Sequence, residues 1–433
     1  MLSAEIQHYL DSLGMFGWKL GLERMWAIAD ELGHPQKKFS VIHIAGSNGK
    51  GSVARLLESI YLRAGYRIGL YTSPHLVTPT ERIRIAGSDV DEHDFEQNLR
   101  EIQPVLLAKE ATYFEALTLL AFHCFAKFHV ELAIIEVGLG GRFDATNIVD
   151  PLCSIITSIS LEHTDYLGNS LEKIAFEKSG IIKPGAPCII GDLPPEAETV
   201  IKKRCDELAV ELVPNKKIGV KCIGFSALGM GLEVEYGDKT WSVETPLIGE
   251  HQISNIKTAL SAIDKMQKVF PCFAESIDYG LQKFAFAGRF QMWRKTPTIV
   301  LDVAHNPASM ACLVESLVQI FANRNFIFLI GMLKDKDAKL SLAHLLRLNP
   351  VCICITPQTS RGLRGNILQK IASEIGISAS NAADVIDAFL QSVSLLDRNT
   401  VLVVTGSHYV VGEFLHKQVQ LKSLLDEDSH RLS

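Results

Sequence analysis

A short apolar run followed by a glycine-rich turn is the feature of this sequence that most restricts its fold. The run is residues 41–45 (VIHIA), and residues 46–52 (GSNGKGS) follow it directly. We predict a buried strand, a tight turn and the start of a helix, because glycines permit the turn and the apolar run suits a strand. Backbone N–H groups in such a turn converge on an anion, and the helix N-terminus and Lys50 add positive charge. The segment therefore predicts a phosphate site.

The loop departs from the common phosphate-binding pattern G-x-x-x-x-G-K-[ST]. When Gly49 and Lys50 are aligned with its G-K pair, Ile44 replaces the first glycine. Gly51 then stands where a magnesium-binding hydroxyl is expected. Either the match is accidental, or the loop is a variant whose metal hydroxyl comes from another segment. The flanking strand and helix favour the variant loop, with a nucleoside triphosphate as its ligand.

Composition narrows the possible functions. The chain has 433 residues, 47% of them hydrophobic, which is enough for two or three domains with large cores. Its net charge of −6 lacks the basic excess typical of nucleic-acid or membrane-surface binders, so we expect small-molecule chemistry with neither partner. Nine cysteines without a C-x-x-C pair, and the lack of a leader-like or membrane-spanning segment, predict reduced thiols in a cytoplasmic protein.

Short β-branched runs alternate with helical patterns in the first half, which predicts an α/β fold with a mostly parallel sheet. The expected strands are residues 41–45, 67–71, 132–137, 153–158 and 188–190, and the expected helices lie near 50–64, 92–109, 113–128, 170–179 and 195–208. Thr112 and Glu115 have the spacing of a capping box. Alternation over residues 218–243, with a turn at Gly237 and Asp238, predicts a small antiparallel insertion before a helix at about 250–268.

A second series of strands predicts a further, smaller α/β domain of Rossmann-like type. These strands are expected at residues 298–302, 326–330, 351–355 and 400–404. We therefore predict a P-loop NTPase-like domain over residues 1–286, with the antiparallel insertion at about 218–245, and a second domain over residues 287–433. A cleft between two such domains suits a reaction with nucleotide on one wall and an acceptor on the other.

Polar side chains follow several of the expected strands, where open parallel sheets bind ligands. Ser73 either supplies the missing hydroxyl ligand or belongs to an ordinary Ser-Pro turn. Glu136 either holds magnesium or pairs with Arg142. His163 is a candidate ligand or acid–base group, although a single histidine is more often only hydrogen-bonded. Lys178 fits a charged last helical turn before a glycine cap.

The second domain also has polar residues directly after an expected strand. Asp302 ends an expected strand, and His305 lies in the loop that leads into the next helix. Arg289, in the linker, either reaches into the cleft or forms a surface salt bridge. These residues are the candidates that the second domain offers for a ligand site.

Nine ordered motifs together resemble the folylpolyglutamate synthases and dihydrofolate synthases of the Mur ligase superfamily. They are GSNGKGS, TSPHL, EVGLGGRFDATN, LEHTDYLG, EKSGIIKPG, GEHQISNIKTAL, AGRF, DVAHNP and GSHYVVGE, and the resemblance runs from about residue 10 to residue 418. It implies an ATP-dependent ligase that adds L-glutamate to dihydropteroate, or to the terminal glutamate of folates, through an acyl phosphate. The DATN form is more similar to bifunctional bacterial enzymes than to enzymes that only lengthen polyglutamate tails.

The resemblance also implies roles for individual residues. It implies ATP contacts at Gly46, Ser47, Asn48, Gly49, Lys50, Gly51, Ser52, Asn255, Arg289 and Asp302. It implies Mg²⁺ ligands at Ser73, Glu136, His163 and Lys178, and Lys178 matches a family lysine that carbon dioxide carbamoylates. It implies catalytic roles for Lys50, Lys178 and His305, a pterin or folate site at Arg82, Phe114, Asp144 and Ala145, and a glutamate site at His305 and Ser407. A monovalent cation and a monomeric state are further expectations from the family.

One departure from the family pattern bears on the nucleotide site. Val303 replaces the usual glycine of the D-G-A-H-N-P element, and we expect it to alter the backbone of the loop beside Asp302. The alternatives to a folate ligase are a Mur-type ligase for peptidoglycan precursors, a regulatory nucleotide-binding protein without ligase activity, and a P-loop kinase. The joint presence of Lys50, Glu136 and His163 with Lys178 argues against a decayed site.

Overall fold

The computed structural model describes residues 2–13 and 21–432. The chain forms two compact units. Unit 1 consists of Met1–Lys221, Glu233–Val243 and Ile253–Phe284, and unit 2 consists of Cys222–Leu232, Glu244–Gln252 and Ala285–Ser433. No helix in the described part of the chain is long and apolar enough to cross a membrane.

Unit 1 is built on an eight-stranded sheet with helices around it. Its strands are β1 (Ser40–Ala45), β2 (Ile68–Tyr71), β3 (Ile83–Ile85), β4 (Ser88–Asp89), β5 (Leu132–Glu136), β6 (Cys153–Ile156), β7 (Cys188–Ile190) and β8 (Leu212–Pro214). The helices of this half of the chain are α1 (Ala4–Ser12), α2 (Glu23–Glu31), α3 (Lys50–Arg63), α4 (Glu92–Ala108), α5 (Tyr113–Lys127), α6 (Thr164–Leu167), α7 (Leu171–Ser179), α8 (Pro195–Glu207), α9 (His251–Met266) and α10 (Ala274–Gln282). Short 3₁₀ helices lie at Pro35–Lys37, Pro79–Arg82, Ala145–Ile148 and Asn215–Lys217.

The strand order places the predicted phosphate loop at the centre of the sheet. The order is β4-β3-β2-β5-β1-β6-β7-β8, in which β3 pairs antiparallel with both β2 and β4 and the other pairs are parallel. The central strands are buried along nearly their whole length, as expected when helices cover both faces of a parallel sheet. The carboxyl ends of β2, β5, β1 and β6 therefore meet at one edge.

The expected α/β elements of the first half are confirmed, with two differences. The five expected strands correspond to β1, β2, β5, β6 and β7, but β6 ends at Ile156 rather than at residue 158. The short strands β3, β4 and β8 extend the sheet and were not predicted. The capping box is confirmed, since the Thr112 N–H donates to Glu115 Oε2 (2.7 Å) and the Glu115 N–H donates to Thr112 Oγ1 (3.4 Å).

The predicted insertion is a three-stranded sheet. Its strands are β9 (Gly219–Ser226), β10 (Gly229–Tyr236) and β11 (Lys239–Thr245), in the order β11-β10-β9. Only two residues connect each pair of consecutive strands, and such short hairpin connections join antiparallel strands. Gly237, at the predicted turn, has a φ of 58°, which glycine adopts without strain.

Unit 2 is built on a six-stranded sheet. Its strands are β12 (Gln291–Arg294), β13 (Thr298–Leu301), β14 (Asn325–Ile330), β15 (Val351–Cys354), β16 (Ser378–Asn381) and β17 (Thr400–Thr405), in the order β12-β13-β17-β14-β15-β16. Its helices are α11 (Pro307–Ile320), α12 (Ala338–Ala343), α13 (Gly365–Glu374), α14 (Val385–Val393), α15 (His408–His416) and α16 (Gln418–Leu432), with a 3₁₀ helix at His344–Leu348. Only β12 pairs antiparallel among these strands. The smaller α/β domain is therefore confirmed, with β12 and β16 as additional edge strands.

Candidate active site

The loop between β1 and α3 has the geometry of a phosphate cradle. Gly46 and Gly49 both have a positive φ, of 149° and 85°, respectively. A methyl group on Gly46 would lie 2.0 Å from Thr157 Oγ1, and one on Gly49 would lie 2.4 Å from Asn255 Oδ1, so neither position has room for a larger residue. Gly49 precedes α3 and has no side chain to cap it. The N–H groups of the first turn therefore lack partners within the helix.

The segment that follows β6 holds this loop in place. The Ser47 N–H donates to the carbonyl oxygen of Ser158 (2.8 Å), and the Asn48 N–H donates to Ser158 Oγ (2.9 Å). Thr157 Oγ1 and Ser158 Oγ both donate to the carbonyl oxygen of Asn48 (2.6 and 2.9 Å). This explains why β6 ends at Ile156, because the next residues turn away from the sheet to support the loop. The hydrophobic periodicity of the sequence does not indicate that Thr157 and Ser158 support the loop.

Two lysines meet at the carbonyl oxygen of Gly46. Lys50 Nζ and Lys178 Nζ each donate to this oxygen at 2.9 Å. Lys178 also donates to Glu162 Oε1 at 2.8 Å, and both side chains of this ion pair are buried. Lys178 lies in the last turn of α7 before Gly180, as predicted, but its side chain is buried and paired with Glu162. Gly180 has an ordinary helical φ of −62°, and it is required because a methyl group there would lie 2.4 Å from Arg142.

Burial and charge act in opposite directions on this ion pair. Burial lowers the pKa of Lys178, and the neighbouring Glu162 partly opposes this effect. Burial raises the pKa of Glu162, but Lys178 and Lys50 outweigh burial and hold that pKa well below its ordinary value. Glu162 was not among the predicted site residues, because its sequence position beside His163 does not reveal which side chain it contacts.

The predicted metal ligands follow adjacent strands. Glu136 ends β5 in register with Ile44 of β1, and its Oε2 accepts a hydrogen bond from the N–H of Ser73 (3.2 Å), which follows β2. Arg142, the alternative partner considered for Glu136, makes hydrogen bonds of 2.7 and 3.2 Å to Glu177. Within residues 2–13 and 21–432, no three His, Cys, Asp or Glu side chains form a metal cluster. A cation at this edge would therefore require the Ser73 hydroxyl, main-chain oxygens or a modified lysine as additional ligands.

The predicted pterin residues form two groups in unit 1. Arg82 is buried, donates from Nε to His75 Nδ1 (2.9 Å), and lies over the ring of Tyr113 at 5.5 Å. Burial and the Arg82 charge lower the pKa of His75 to about 3, so this imidazole is neutral and accepts the bond.

In the second group, Phe114 contacts two other elements. Its ring centroid lies 6.2 Å from that of Tyr71, at the end of β2. A methyl group on Gly138, after β5, would lie 2.4 Å from the Phe114 ring. Asp144 and Ala145 are 2% and 7% exposed, respectively, and Asp144 caps the 3₁₀ helix that begins at Ala145.

Unit 2 places Asp302 directly after β13. Its Oδ2 accepts from the N–H of Phe290 (2.8 Å) and its Oδ1 accepts from the N–H of Ala304 (2.8 Å). Burial raises the pKa of Asp302, while the Phe290 N–H and the nearby Arg289 charge oppose this effect. Val303 does not have a positive φ, so the backbone at this position is in a conformation that any residue can adopt. Arg289 is half-buried and lies 4.9 Å from the Phe286 ring.

The predicted glutamate-site residues lie after β13 and β17. His305 Nδ1 is 2.9 Å from the carbonyl oxygen of Val303, which can only accept, so this nitrogen carries the proton. In the neutral imidazole, Nε2 is then the basic nitrogen. The rings of His305 and His408 are 5.4 Å apart. Ser407 is buried and caps α15, since its hydroxyl accepts from the N–H of Val410 (3.2 Å).

Comparisons with known proteins agree with this architecture. The family model described as the Mur ligase middle domain matches residues 44–263, and the Mur ligase, glutamate ligase domain matches residues 288–408. The chain is 34% identical over 415 residues to the dihydrofolate synthase/folylpolyglutamate synthase of Bacillus subtilis, covering 92% of this chain and 95% of that protein.

Solved structures support the same relationship. The fold is similar to Escherichia coli FolC in complex with DHPP and ADP, with a TM-score of 0.88 and 31% identity, covering 97% of this chain and 98% of that one. It is also similar to a bifunctional folylpolyglutamate synthase/dihydrofolate synthase with Mn, AMPPNP and L-glutamate bound, with a TM-score of 0.84 and 33% identity over 96% of this chain and 98% of that one. The resemblance in the sequence motifs is thus confirmed. The chain belongs to the dihydrofolate synthase/folylpolyglutamate synthase family of Mur ligases.

Proposed function

We propose that the protein is an ATP-dependent ligase that joins L-glutamate to dihydropteroate and to the terminal glutamate of folates. The observation that supports this most directly is the phosphate loop between β1 and α3, with Lys50 at its end and Glu136 on the adjacent strand. A phosphate site beside a carboxylate suits phosphoryl transfer from a metal-bound nucleotide. The similarity to synthases whose structures contain ADP, or Mn with AMPPNP and L-glutamate, supports the same substrates here.

The reaction must overcome the resistance of a carboxylate to attack by an amine. The acceptor carboxylate takes the γ-phosphoryl group of ATP, which gives an acyl phosphate and ADP. The amine of L-glutamate then attacks the acyl carbon, and phosphate leaves as the amide forms. Lys50 and the N–H groups of the loop stabilise the charge on the transferred phosphoryl group by position rather than by bond formation.

A divalent cation, Mg²⁺ in our proposal, fits the residues at the carboxyl edge of the unit 1 sheet. Ser73, Glu136 and His163 would hold it with additional water ligands, and oxygen donors are the ligands that Mg²⁺ prefers. The contact between Ser73 and Glu136 supports this assignment because it keeps the carboxylate at the strand end. When bound, the cation would neutralise charge on the phosphate oxygens.

We further propose that carbon dioxide carbamoylates Lys178. The ammonium first loses a proton to give the neutral amine, which attacks carbon dioxide and loses a second proton, so that a cation becomes an anionic oxygen ligand. The reaction needs an unprotonated lysine, and the burial that lowers the pKa of Lys178 favours this form. The modified side chain would add an oxygen donor to the cation site.

The remaining assignments extend the site to the other substrates. We propose that Asn255, Arg289 and Asp302 contact the nucleotide, and that Arg82, Phe114, Asp144 and Ala145 form the acceptor wall. His305 and Ser407 would bind the incoming glutamate, with the basic Nε2 of His305 suited to accept a proton from its amine. Residues 1–286 would then act as the ATP-binding domain and residues 287–433 as the glutamate ligase domain. A monovalent cation and a monomeric state complete the proposal.

Substitution of Lys50 tests the proposal. We expect Lys50→Ala to lower glutamate-dependent phosphate release by about a hundredfold or more, because it removes a charge that stabilises the transferred phosphoryl group. The assay uses ATP and L-glutamate with dihydropteroate, tetrahydrofolate or a muramyl nucleotide as the acceptor. Lys221→Ala, which changes an exposed lysine on β9, is the control.

The outcomes of this assay separate the candidate functions. Release of phosphate with the two pterin acceptors supports the proposal, whereas turnover only with the muramyl nucleotide would identify a peptidoglycan-precursor ligase. ADP formation without glutamate or free phosphate would indicate a kinase, and no turnover of any acceptor would indicate a regulatory protein. Undiminished turnover in Lys50→Ala would exclude the loop as the phosphate site.

A further inference from the structure

A chain of buried hydrogen bonds joins Asp144 of the proposed acceptor wall to Thr146 and His43, neither of which has a role in the reaction described above. Asp144 Oδ1 accepts from Thr146 Oγ1 (2.5 Å) and from the Thr146 N–H (3.0 Å). Thr146 Oγ1 in turn lies 2.8 Å from Nε2 of His43, in the middle of β1. His43 and Thr146 are fully buried, and Asp144 is 2% exposed. The three side chains therefore connect the 3₁₀ helix to the central strand of the sheet.

The direction of each bond in this chain follows from the donors available. Thr146 has one hydroxyl proton, which it donates to Asp144, so its oxygen must accept from His43. Nε2 of His43 therefore carries the proton and Nδ1 does not. Nδ1 has no hydrogen-bond partner in the described structure. Burial and the nearby Lys183 lower the pKa of His43 to about 3, so the imidazole stays neutral.

The other carboxylate oxygen of Asp144 holds the loop that follows β5. Oδ2 accepts from the N–H of Leu139 (2.8 Å), and the N–H of Asp144 donates to the carbonyl oxygen of Gly141 (3.1 Å). These bonds close residues 139–144 into a compact loop. The loop begins beside Gly138, which packs against Phe114 of the proposed wall. A shift of the carboxylate would therefore move the backbone next to Phe114.

We propose that His43 and Thr146 are positioning residues that fix the Asp144 carboxylate and thereby set the affinity of the enzyme for its pterin-acid acceptor. The inference rests on the proposed function, because it takes Phe114, Asp144 and Ala145 as the acceptor wall. Thr146 links strand β1 to Asp144 through hydrogen bonds to both. The bond from His43 fixes the direction in which the threonine hydroxyl donates. The ATP loop is held separately by Thr157 and Ser158, so the effect is specific for the acceptor.

Two substitutions of Thr146 separate the hydroxyl from the shape of the side chain. Thr146→Val keeps the volume and removes the hydroxyl, and we expect the KM for dihydropteroate to rise about tenfold or more, as for the loss of a hydrogen bond to a charged group. The KM for ATP should stay within about twofold of the wild-type value, because the ATP loop has its own supports. Thr146→Ser keeps the hydroxyl and should restore the KM for dihydropteroate to near the wild-type value.

Substitution of His43 tests the connection through Thr146. We expect His43→Leu to raise the KM for dihydropteroate as Thr146→Val does, and the double variant to show no more than the larger single effect, because both act through the same carboxylate. Ser261→Ala is the matched control, since it removes a buried hydroxyl that donates to the carbonyl oxygen of Lys257 within α9, away from this chain of bonds. The melting temperature of each variant is measured alongside the kinetics.

The results that would overturn this inference differ from those that would overturn the proposed function. An unchanged KM for dihydropteroate in Thr146→Val would overturn it while wild-type turnover still supported the ligase activity. Independent, additive effects of the two single substitutions would also contradict it, as would equal changes in the KM for ATP. A wild-type protein that ligates no pterin acid would instead overturn the proposed function, whatever the variants do.

Discussion

Lys178 is the buried residue of unit 1 whose charge the proposed carbamoylation would change. As an ammonium it is balanced by Glu162, and both side chains are shielded from water. Such a buried pair costs much of its attraction in lost hydration, so it is weak evidence for a purely stabilising role. Its position beside Lys50, at the carbonyl oxygen of Gly46, places it at the phosphate loop rather than in the apolar core. A carbamate at this position, as proposed above, would replace the positive charge beside the loop with a negative one.

Carbamoylation of Lys178 is directly testable. We expect protein in ¹³C-bicarbonate at pH 7.5 to show a carbamate carbon resonance, since burial lowers the pKa of this lysine and increases its neutral fraction. The resonance should be absent from Lys178→Ala and present in the control Lys173→Ala, which lies on the same helix and is exposed. A spectrum without the resonance in the wild-type protein, with Mg²⁺ present, would leave Lys178 as the ammonium partner of Glu162.

The loop after β5 is restricted by a neighbouring helix, because Phe114 of α5 lies against Gly138 at the start of this loop. Gly138 does not have a positive φ, so its requirement for glycine comes from contact rather than from backbone conformation. The Phe114 ring of α5 occupies the space in which a side chain would lie. The end of β5 and helix α5 are thus coupled through one close approach, at a residue of the proposed acceptor wall.

Substitution of Gly138 tests this coupling. We expect Gly138→Ala to lower the free energy of unfolding by about 1–3 kcal/mol, the usual cost of overpacking, because the added methyl group would overlap the Phe114 ring. Urea unfolding measures the change. Gly224→Ala on β9, which has no atom within 4 Å of the added methyl group, should change the value by less than about 0.5 kcal/mol. If Phe114→Leu does not recover stability in the Gly138→Ala background, the contact is not the cause.

Periodicity predicted the central strands well because they are apolar and buried. It missed β16, whose sequence SASN is mostly polar and has no buried residue at the sheet edge, and it extended β6 into residues that instead support the phosphate loop. The loop itself could be predicted, because the glycines and Lys50 are adjacent in sequence. The Lys178–Glu162 pair and the bond from His43 to Thr146 could not, because they join residues 16 and 103 positions apart through tertiary packing.

In both units of the molecule, the candidate site residues follow the carboxyl ends of parallel strands. In unit 1 the phosphate loop, Ser73 and Glu136 lie at the carboxyl ends of parallel strands, and in unit 2 Asp302 and Ser407 follow the ends of β13 and β17. The loops that follow the carboxyl ends of parallel strands lie outside the hydrogen-bonded sheet. They can therefore carry polar side chains without disturbing the core. Each unit thus combines a buried sheet with a polar edge at which ligands can bind.

If nucleotide binding depends on a divalent cation, the stability of the whole protein should depend on both ligands together. We expect AMPPNP with Mg²⁺, at about 100 times its Kd, to add about 2.7 kcal/mol of stability and raise the melting temperature by roughly 3 to 5 °C. Removal of the cation with EDTA should abolish most of this shift, because the triphosphate then meets Lys50 and the loop without a counter-ion beside Glu136. Lys50→Ala should reduce the shift even with Mg²⁺ present, whereas Lys221→Ala should not. A full shift in EDTA would show that the nucleotide binds without the cation, and the assignment of Ser73, Glu136 and His163 as its ligands would then be wrong.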